Sequence, residues 1–156
     1  MNDIVIDTCT LVHADNPESD YFEHSVDFIN RMTANTILCT VDEGFDMNDP
    51  VHSSYIALEY IKHLKPTSLG YYLMIHIAQN SRFNFVSIKV PQKEKKVVEQ
   101  KIRNKKDRHF LRVAINSNDK ILASHDFTDY QKSKRKYFKK EMGIEIVTAE
   151  EVNPRI

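Results

Sequence analysis

The sequence predicts an α/β fold built around a five-stranded parallel sheet. Short apolar runs alternate with amphipathic stretches along the chain, which is the pattern of repeated strand–helix–strand units. The apolar runs are continuous, as in Ile4-Val5-Ile6, so each strand is expected to be buried on both faces. A length of 156 residues fits a single domain, residues 1–156, with one core. Right-handed crossovers with one switch point allow the strand order 3-2-1-4-5.

Five segments have the composition of buried strands. They are Asp3–Asp7, Thr36–Val41, Asn84–Ile88, Lys120–Ser124 and Glu145–Val147. The first ends at an aspartate, Asp7, and the fourth is followed closely by another, Asp126. In open parallel sheets, ligands bind at the carboxyl ends of the strands. These two residues are therefore the first candidates for a functional site.

Six segments between the strands have helical periodicity. They are Ser19–Met32, Tyr55–Leu64, Leu69–Gln79, Lys93–Arg103, Arg108–Ser117 and Tyr130–Met142. Ser68 is predicted to cap the third of these helices, and Gly143 is predicted to end the last. The polar segment Asp42–Pro50 predicts a loop. No repeat or long linker divides the chain.

The net charge of zero conceals a strong asymmetry along the chain. Residues 1–60 hold twelve acidic residues against the single Arg31, a balance of −11, so the remainder carries +11. The basic residues concentrate in residues 93–106 and 132–140. An acidic site flanked by basic helices suits a polyanion such as a nucleic acid, although basic runs also occur simply as solvated helix faces. The residues predicted to contact phosphates are Lys105, Lys106, Arg108, Lys132, Lys134, Arg135 and Lys136.

Five carboxylates are candidates for one metal site. They are Asp7, Glu59, Asp107, Asp126 and Asp129. With the order 3-2-1-4-5, the ends of the first and fourth strands are neighbours about 4.8 Å apart, so two of these acids could share one cation. Clustered carboxylates cannot all stay ionised unless a cation or shared protons relieve their repulsion. The cluster is therefore a reason to expect a bound divalent cation.

Each of these acids also has a purely structural interpretation. Asp7 fits a helix N-cap before the segment that contains Leu11, and Asp126 fits a turn or a cap. Asp107 lies at the start of a helical stripe that should pack on the sheet, where it fits either a cap or a ligand. Glu59 is equally compatible with a ligand and with a solvated surface residue. For Asp7 or Asp126 taken singly, the structural interpretation is stronger than that of a metal ligand. The presence of both acids at the ends of neighbouring strands favours the ligand interpretation.

Several of these segments resemble the PIN-domain nucleases. Ile4–Thr8 is similar to the opening of that family. Residues 107–114 and 119–130 resemble its second half, where an acid opens a helix and a strand ends in Ser or Thr, any residue, then Asp. Glu59-Tyr60 matches its internal glutamate. Two positions depart from the pattern: Cys9 stands where the family usually has Asn, and Asp129 lies one residue farther from Asp126 than expected.

The resemblance implies a PIN-like three-layer α/β/α fold and a metal-dependent endoribonuclease. Asp7, Glu59, Asp107 and Asp126 would be the catalytic acids that hold one or two Mg²⁺ or Mn²⁺ ions. Asp129 would be an additional or alternative ligand, and the hydroxyls of Thr8 and Ser124 would orient the carboxylates. Many members of the family are dimeric toxins that cut RNA until an antitoxin blocks them. An RNA substrate, a regulatory protein partner and a homodimer are therefore expected from the family alone.

Other function classes fit the sequence less well. A receiver-like signalling domain would need an aspartate after the third strand, where the chain reads Val90-Pro91. A phosphatase with an Asp-x-Asp pair fails at Cys9. A PIN-like module that binds nucleic acid or protein without catalysis remains an alternative. With no apolar segment of membrane-spanning length and no secretory signal, and with two cysteines in no metal-binding spacing, we expect a cytoplasmic protein away from membranes.

Overall fold

The computed structural model describes residues 1–48 and 54–156, and it confirms the predicted sheet. Five parallel strands pair in the order β3-β2-β1-β4-β5. Their bounds are β1 Asp3–Ile6, β2 Leu38–Asp42, β3 Phe83–Val86, β4 Ile121–Ala123 and β5 Glu145–Val147. Each strand lies within two residues of its predicted limits, and β5 has the predicted limits.

Helices connect consecutive strands and flank the sheet. Their bounds are α1 Thr8–His13, α2 Phe22–Ala34, α3 Tyr55–His63, α4 Leu69–Gln79, α5 Gln92–Lys101, α6 Lys105–Asn116, α7 Lys132–Met142 and α8 Ala149–Val152. A 3-10 turn, Asn153–Arg155, follows α8. Helix α2 packs against α1, α4 and α8, whereas α6 packs against α5 and the central strands. Right-handed crossovers place these two groups on opposite faces of the sheet.

The central strands are buried on both faces, as the continuous apolar runs predicted. Ile4, Val5 and Ile6 are fully buried in β1, and Leu122 is fully buried in β4. Phe110 from α6 belongs to the same hydrophobic core. Burial of apolar area of this kind supplies most of the driving force for folding.

The register of the two central strands, β1 and β4, determines where the acids at the ends of these strands lie. Ile6 in β1 lies opposite Ala123 in β4, and the backbone N–H of Asp7 donates to the Ala123 carbonyl at 2.9 Å. The N–H of Ser124 donates to the carbonyl of Val147 at 2.8 Å. The pairing thus continues one residue beyond both strands, so Asp7 and Ser124 leave the sheet side by side.

Two predicted caps are confirmed and three predicted helix starts are wrong. Helix α2 begins at Phe22 instead of Ser19. The Ser68 hydroxyl accepts from the N–H of Tyr71, and Gly143 ends α7 with φ 68°, the left-handed conformation that glycine adopts without strain. Helix α6 begins at Lys105, because the side chain of Asn104 caps it by accepting from the N–H of Lys106. Asp107 is therefore inside the first turn and is not a cap. Helix α7 begins at Lys132 instead of Tyr130.

Part of the predicted loop 42–50 lies within the described residues. Asp42 is the last residue of β2, and its carboxylate accepts from the Ser54 hydroxyl at 2.5 Å and from the N–H of Tyr55 at 2.7 Å. These two bonds anchor the start of α3 beside the sheet. Residues 49 and 50 lie outside the described residues. Among residues 1–48 and 54–156, no helix combines the length and apolar composition needed to span a bilayer.

Candidate metal centre at the carboxyl edge of the sheet

Asp7 reaches the site directly from the end of β1. It occupies the N-cap position of α1, but its carboxylate makes no capping hydrogen bond. Its Oδ2 atom instead accepts from the Ser124 hydroxyl at 2.6 Å and from the Cys9 thiol at 3.2 Å. The N-cap position predicted for Asp7 is therefore correct, but its side chain does not cap the helix. The carboxylate is directed at neighbours across the sheet edge.

Ser124 connects the two strand ends. Its hydroxyl donates to Asp7 and accepts from the N–H of Asp126 at 3.1 Å. Ser124 thereby holds one carboxylate and positions the backbone of a second acid, in keeping with the orienting role predicted for it. Thr8 differs, because its buried hydroxyl makes no hydrogen bond to any described residue. The contact predicted between Thr8 and a carboxylate is not made.

Asp107 approaches the same edge from helix α6. Its backbone carbonyl accepts from the hydroxyl of the fully buried Tyr130 at 2.7 Å, which fixes the first turn of α6 over the end of β4. The residue is only 8% exposed, and its Oδ2 atom has no hydrogen-bond donor among the described residues. An unpartnered buried carboxylate oxygen is costly unless a proton or a cation neutralises it.

Asp126 and Asp129 belong to one turn after β4. Asp126 Oδ1 accepts from the N–H groups of Thr128 at 2.7 Å and Asp129 at 3.1 Å. The turn interpretation of Asp126 is therefore correct, and the turn leaves Oδ2 for other contacts. Asp107, Asp126 and Asp129 each offer a carboxylate oxygen, and these oxygens all lie within 4.8 Å of one another. The extra residue between Asp126 and Asp129 does not separate them.

Two of the acids at this edge, Asp107 and Asp7, have a raised pKa. Burial, then a proton-sharing contact with Asp129, then repulsion from Asp7, Asp126 and Asp129 raise the pKa of Asp107 to about 8. Burial also raises the pKa of Asp7, and the hydrogen bonds from Ser124 and Cys9 oppose that rise. Hard carboxylate oxygens of this kind are the ligands that Mg²⁺ and Mn²⁺ prefer. The donor set and the unpartnered Asp107 oxygen fit a divalent cation.

Glu59 lines the same cavity but is already paired. The cavity has a volume of about 420 Å³ and is lined by Asp7, Glu59, Asp107 and Asp126 among others. The Glu59 side chain is 17% exposed and forms ion pairs with Lys106 Nζ at 2.9 Å and His63 Nε2 at 3.4 Å. It is not a member of the group of three acids within 4.8 Å, and neither is Asp7.

The basic residues predicted to contact phosphates fall into two groups. Lys105, Lys132 and Lys136 are exposed, and no ion pair joins them to a described carboxylate. The other four make internal contacts. Lys106 pairs with Glu59, Lys134 Nζ donates to the carbonyl of Asp129 at 3.1 Å, and Arg108 donates to the carbonyls of Ile102 and Glu99.

Of these four residues, Arg135 donates the most hydrogen bonds within the protein. Its guanidinium donates to the backbone carbonyls of Ser124 at 2.9 Å and Asp126 at 3.1 Å, and also to those of Tyr130 and Ile146. Arg135 therefore binds the turn that carries the acids, and the prediction of a phosphate contact is not supported. Its spacing within a basic run gave no sign of this role.

An aromatic cluster beside the acids was not predicted from the sequence. The rings of Tyr21 and His125 stack with centroids 4.5 Å apart, and Phe127 lies 6.5 Å from Tyr21. His125 is buried, with Nε2 accepting from the N–H of Ala149 at 3.1 Å. Burial lowers the pKa of His125 to about 4, which leaves the ring neutral at physiological pH. Tyr21 lies far from the other two rings in sequence, and no local pattern indicates the contact.

Comparison of the chain with family models, with curated proteins and with solved structures found no match. The functional argument therefore depends on the geometry and chemistry of the residues described above.

Proposed function

We propose that this protein is a metal-dependent endoribonuclease with a PIN-like arrangement of acids. The observation that carries the proposal is the group formed by Asp107, Asp126 and Asp129, whose oxygens lie within 4.8 Å of one another. Asp107 has a pKa raised to about 8 and a buried oxygen without a partner. A structural aspartate gains nothing from such an environment, whereas perturbed acids in a cleft are typical of functional sites.

The acids and their supports have distinct roles in this proposal. Asp107, Asp126 and Asp129 hold Mg²⁺ or Mn²⁺, and Asp7 lies beside them with its carboxylate fixed by Ser124. A divalent cation bound there would activate a water and stabilise charge on the attacking and leaving oxygens of a phosphodiester. Arg135 and Tyr130 hold the backbone beneath the acids, so that the carboxylates meet without reorganisation.

The surroundings of the cavity favour a polyanionic substrate. The exposed Lys105 begins α6 beside the acids, and the exposed Lys132 and Lys136 follow the acidic turn on α7. Cations of this kind attract a phosphate backbone without reading its sequence. Among polyanions, RNA is proposed on the resemblance to PIN-domain nucleases, as are a protein inhibitor and a homodimer.

One observation favours the alternative, a binding module without catalysis. Glu59, one of the predicted ligands, is paired with the Lys106 ammonium and lies 3.4 Å from His63 Nε2 within the cavity. An inert module could keep that ion pair permanently, whereas a nuclease would need the cavity to accept a cation beside it. The two proposals differ in what happens when Asp107 is altered, because only the nuclease depends on its charge.

The test is cleavage of a mixed single-stranded RNA pool by the purified protein with Mn²⁺, compared with an EDTA control and three variants. Asp107→Asn and Asp7→Asn remove carboxylates at the site with almost no change of shape, and Asp46→Asn is a matched control on an exposed acid distant in sequence. We expect metal-dependent cleavage that both site variants reduce at least about a hundredfold and the control leaves unchanged. Equal cleavage by all four proteins would indicate a contaminant. Intact RNA in every reaction would favour the binding module.

A further inference from the structure

A second groove lies beside the acid cavity. It has a volume of about 690 Å³, within the range of about 300–1,000 Å³ usual for ligand sites. His125 lines both the groove and the acid cavity, so the two are neighbours that share part of a wall. A chain-like ligand bound at the acids could extend into this groove.

One wall of the groove is aromatic. Tyr21 stacks on the buried His125 with their planes 15° apart, which fixes the Tyr21 ring. Phe127 lies 6.5 Å from Tyr21 with the planes 27° apart, and the Arg135 guanidinium covers it at 4.2 Å from the centroid. Phe127 is nevertheless 36% exposed. The wall thus holds two rings in fixed, nearly parallel planes beside open space.

The part of the groove formed by helix α7 is basic. Helix α7 places Lys132, Lys136 and Lys139 at helical spacing along the groove. Lys139 pairs with Glu145, but no carboxylate of the described residues pairs with Lys132 or Lys136. The whole groove is lined by five cations and three glutamates. One of these glutamates, Glu151, is committed to capping α8 through Thr148.

We propose that this groove binds a nucleotide of a single-stranded nucleic acid next to the one that is cleaved. The base stacks on the Tyr21–Phe127 wall, and its phosphate faces Lys132 and Lys136. Phe127 directly follows the acid Asp126 in the chain, so the aromatic wall and the acidic turn belong to adjacent residues. Stacking on aromatic side chains accepts any base, which suits a strand held mainly through its backbone. This inference rests on the proposed function, because it takes a nucleic acid as the ligand of the acid site.

The experiment measures binding and stacking without cleavage. Short single-stranded RNA and DNA oligonucleotides carrying 2-aminopurine are titrated with the full-length Asp107→Asn protein in EDTA, since stacking quenches the fluorescence of that base. The titration is repeated with three double variants, in which Asp107→Asn is combined with Phe127→Ala, Phe127→Trp or Phe85→Ala. Phe85 is the matched control because it is also an exposed phenylalanine, 54% accessible, and it does not line the groove.

We expect the Phe127→Ala protein to bind the oligonucleotide roughly 5- to 100-fold more weakly and to lose the quenching. Phe127→Trp should restore both, and Phe85→Ala should change neither. Restoration by tryptophan would separate a stacking role from a loss of folding. Fluorescence quenching in both RNA and DNA would support stacking on the Tyr21–Phe127 wall and indicate recognition without the 2′-hydroxyl. Fluorescence quenching in RNA alone would support stacking on this wall with RNA as the ligand.

Other outcomes overturn the proposal. Equal affinity and quenching for Phe127→Ala and its parent would do so, and so would the absence of binding by the parent. The proposed nuclease activity is tested separately by cleavage with Mn²⁺. If Phe127→Ala does not affect cleavage and no stacking is seen, the stacking proposal is wrong and the nuclease proposal stands. If stacking is seen without cleavage, the nuclease proposal is wrong and stacking on the Tyr21–Phe127 wall stands.

Discussion

The Ser124 hydroxyl donates a 2.6 Å hydrogen bond to Oδ2 of Asp7, although 117 residues separate them in sequence. Both residues leave the sheet from adjacent parallel strands, and Ser124 is fully buried. The same hydroxyl accepts from the N–H of Asp126. A single side chain therefore sets the position of one acid and the backbone of another, and this connection can be tested directly.

Replacing Ser124 with alanine should weaken metal binding without unfolding the protein. The variant loses the donor to Asp7 and the acceptor for Asp126, and removal of such supporting hydrogen bonds typically costs about 10- to 100-fold in metal affinity. Mn²⁺ titration by calorimetry measures the change. Ser124→Thr keeps the hydroxyl and should retain most of the affinity. Equal Mn²⁺ affinity for wild type and Ser124→Ala would contradict an orienting role.

Replacing Asp107 with asparagine should stabilise the metal-free protein at high pH. The folded pKa of about 8 lies above the ordinary value of 3.8, so the folded state binds more protons between these values. The contribution of Asp107 to stability is present below about pH 4 and is lost as the pH rises through about 8. In EDTA near pH 8 the variant should be more stable by about 1–3 kcal/mol.

The measurement is the thermal midpoint of both proteins in EDTA, at about pH 5 and at about pH 8, where each kcal/mol corresponds to about 2–4 °C. The stabilising effect of Asp107→Asn should be larger at the higher pH. In Mn²⁺ the order should reverse, because only wild type gains the binding energy of the ion. If the variant is less stable than wild type in EDTA at both pH values, ionisation of the buried Asp107 carboxyl does not destabilise the folded protein.

Metal affinity should rise with pH. At neutral pH the Asp107 carboxyl of the metal-free protein is mostly protonated, and a cation must displace that proton. Apparent Mn²⁺ affinity should therefore increase up to about tenfold per pH unit between about pH 6 and 8, and level off above. Calorimetry in two buffers with different ionisation enthalpies would count the released proton. A flat profile in wild type would exclude a protonated Asp107.

Removing the charge of Lys106 should strengthen cation binding. Its ammonium lies 2.9 Å from Glu59 and lines the acid cavity, where it repels an incoming cation. Because Lys106 is largely exposed, Lys106→Met should raise Mn²⁺ affinity only modestly, by roughly two- to fivefold. Lys105→Met is the control, since this neighbour is exposed and pairs with no carboxylate of the described residues. Equal effects of the two variants would indicate only a general change of surface charge.

Arg135 should matter more for stability than the lysines around it. It donates to four backbone carbonyls, including those of Ser124 and Asp126. Arg135→Ala should therefore cost about 2–4 kcal/mol in the free energy of unfolding, measured by urea denaturation. The exposed neighbour Lys136→Ala should change stability by less than about 0.5 kcal/mol. Similar losses for both variants would contradict the structural role of Arg135.

The sheet was predictable because strand identity is a local property. The continuous apolar run Ile4-Val5-Ile6 can only be buried on both faces, and the short segments after it repeat that requirement. The handedness of crossovers allowed the observed strand order but did not by itself determine it. Boundaries were less accurate because they depend on caps. The start of α6 at Lys105 was set by the side chain of Asn104, which the helical periodicity does not reveal.

The sequence by itself determined which acids stand at the carboxyl edge of the sheet, since Asp7 and Asp126 are tied to the ends of buried strands. Only the tertiary structure decided that Asp107 meets Asp126 and Asp129, that Lys106 neutralises Glu59, and that Arg135 serves the backbone. Each of these contacts depends on how far a helix advances over the sheet edge. A shift of a few ångströms would exchange one partner for another, and no local pattern of residues fixes that distance.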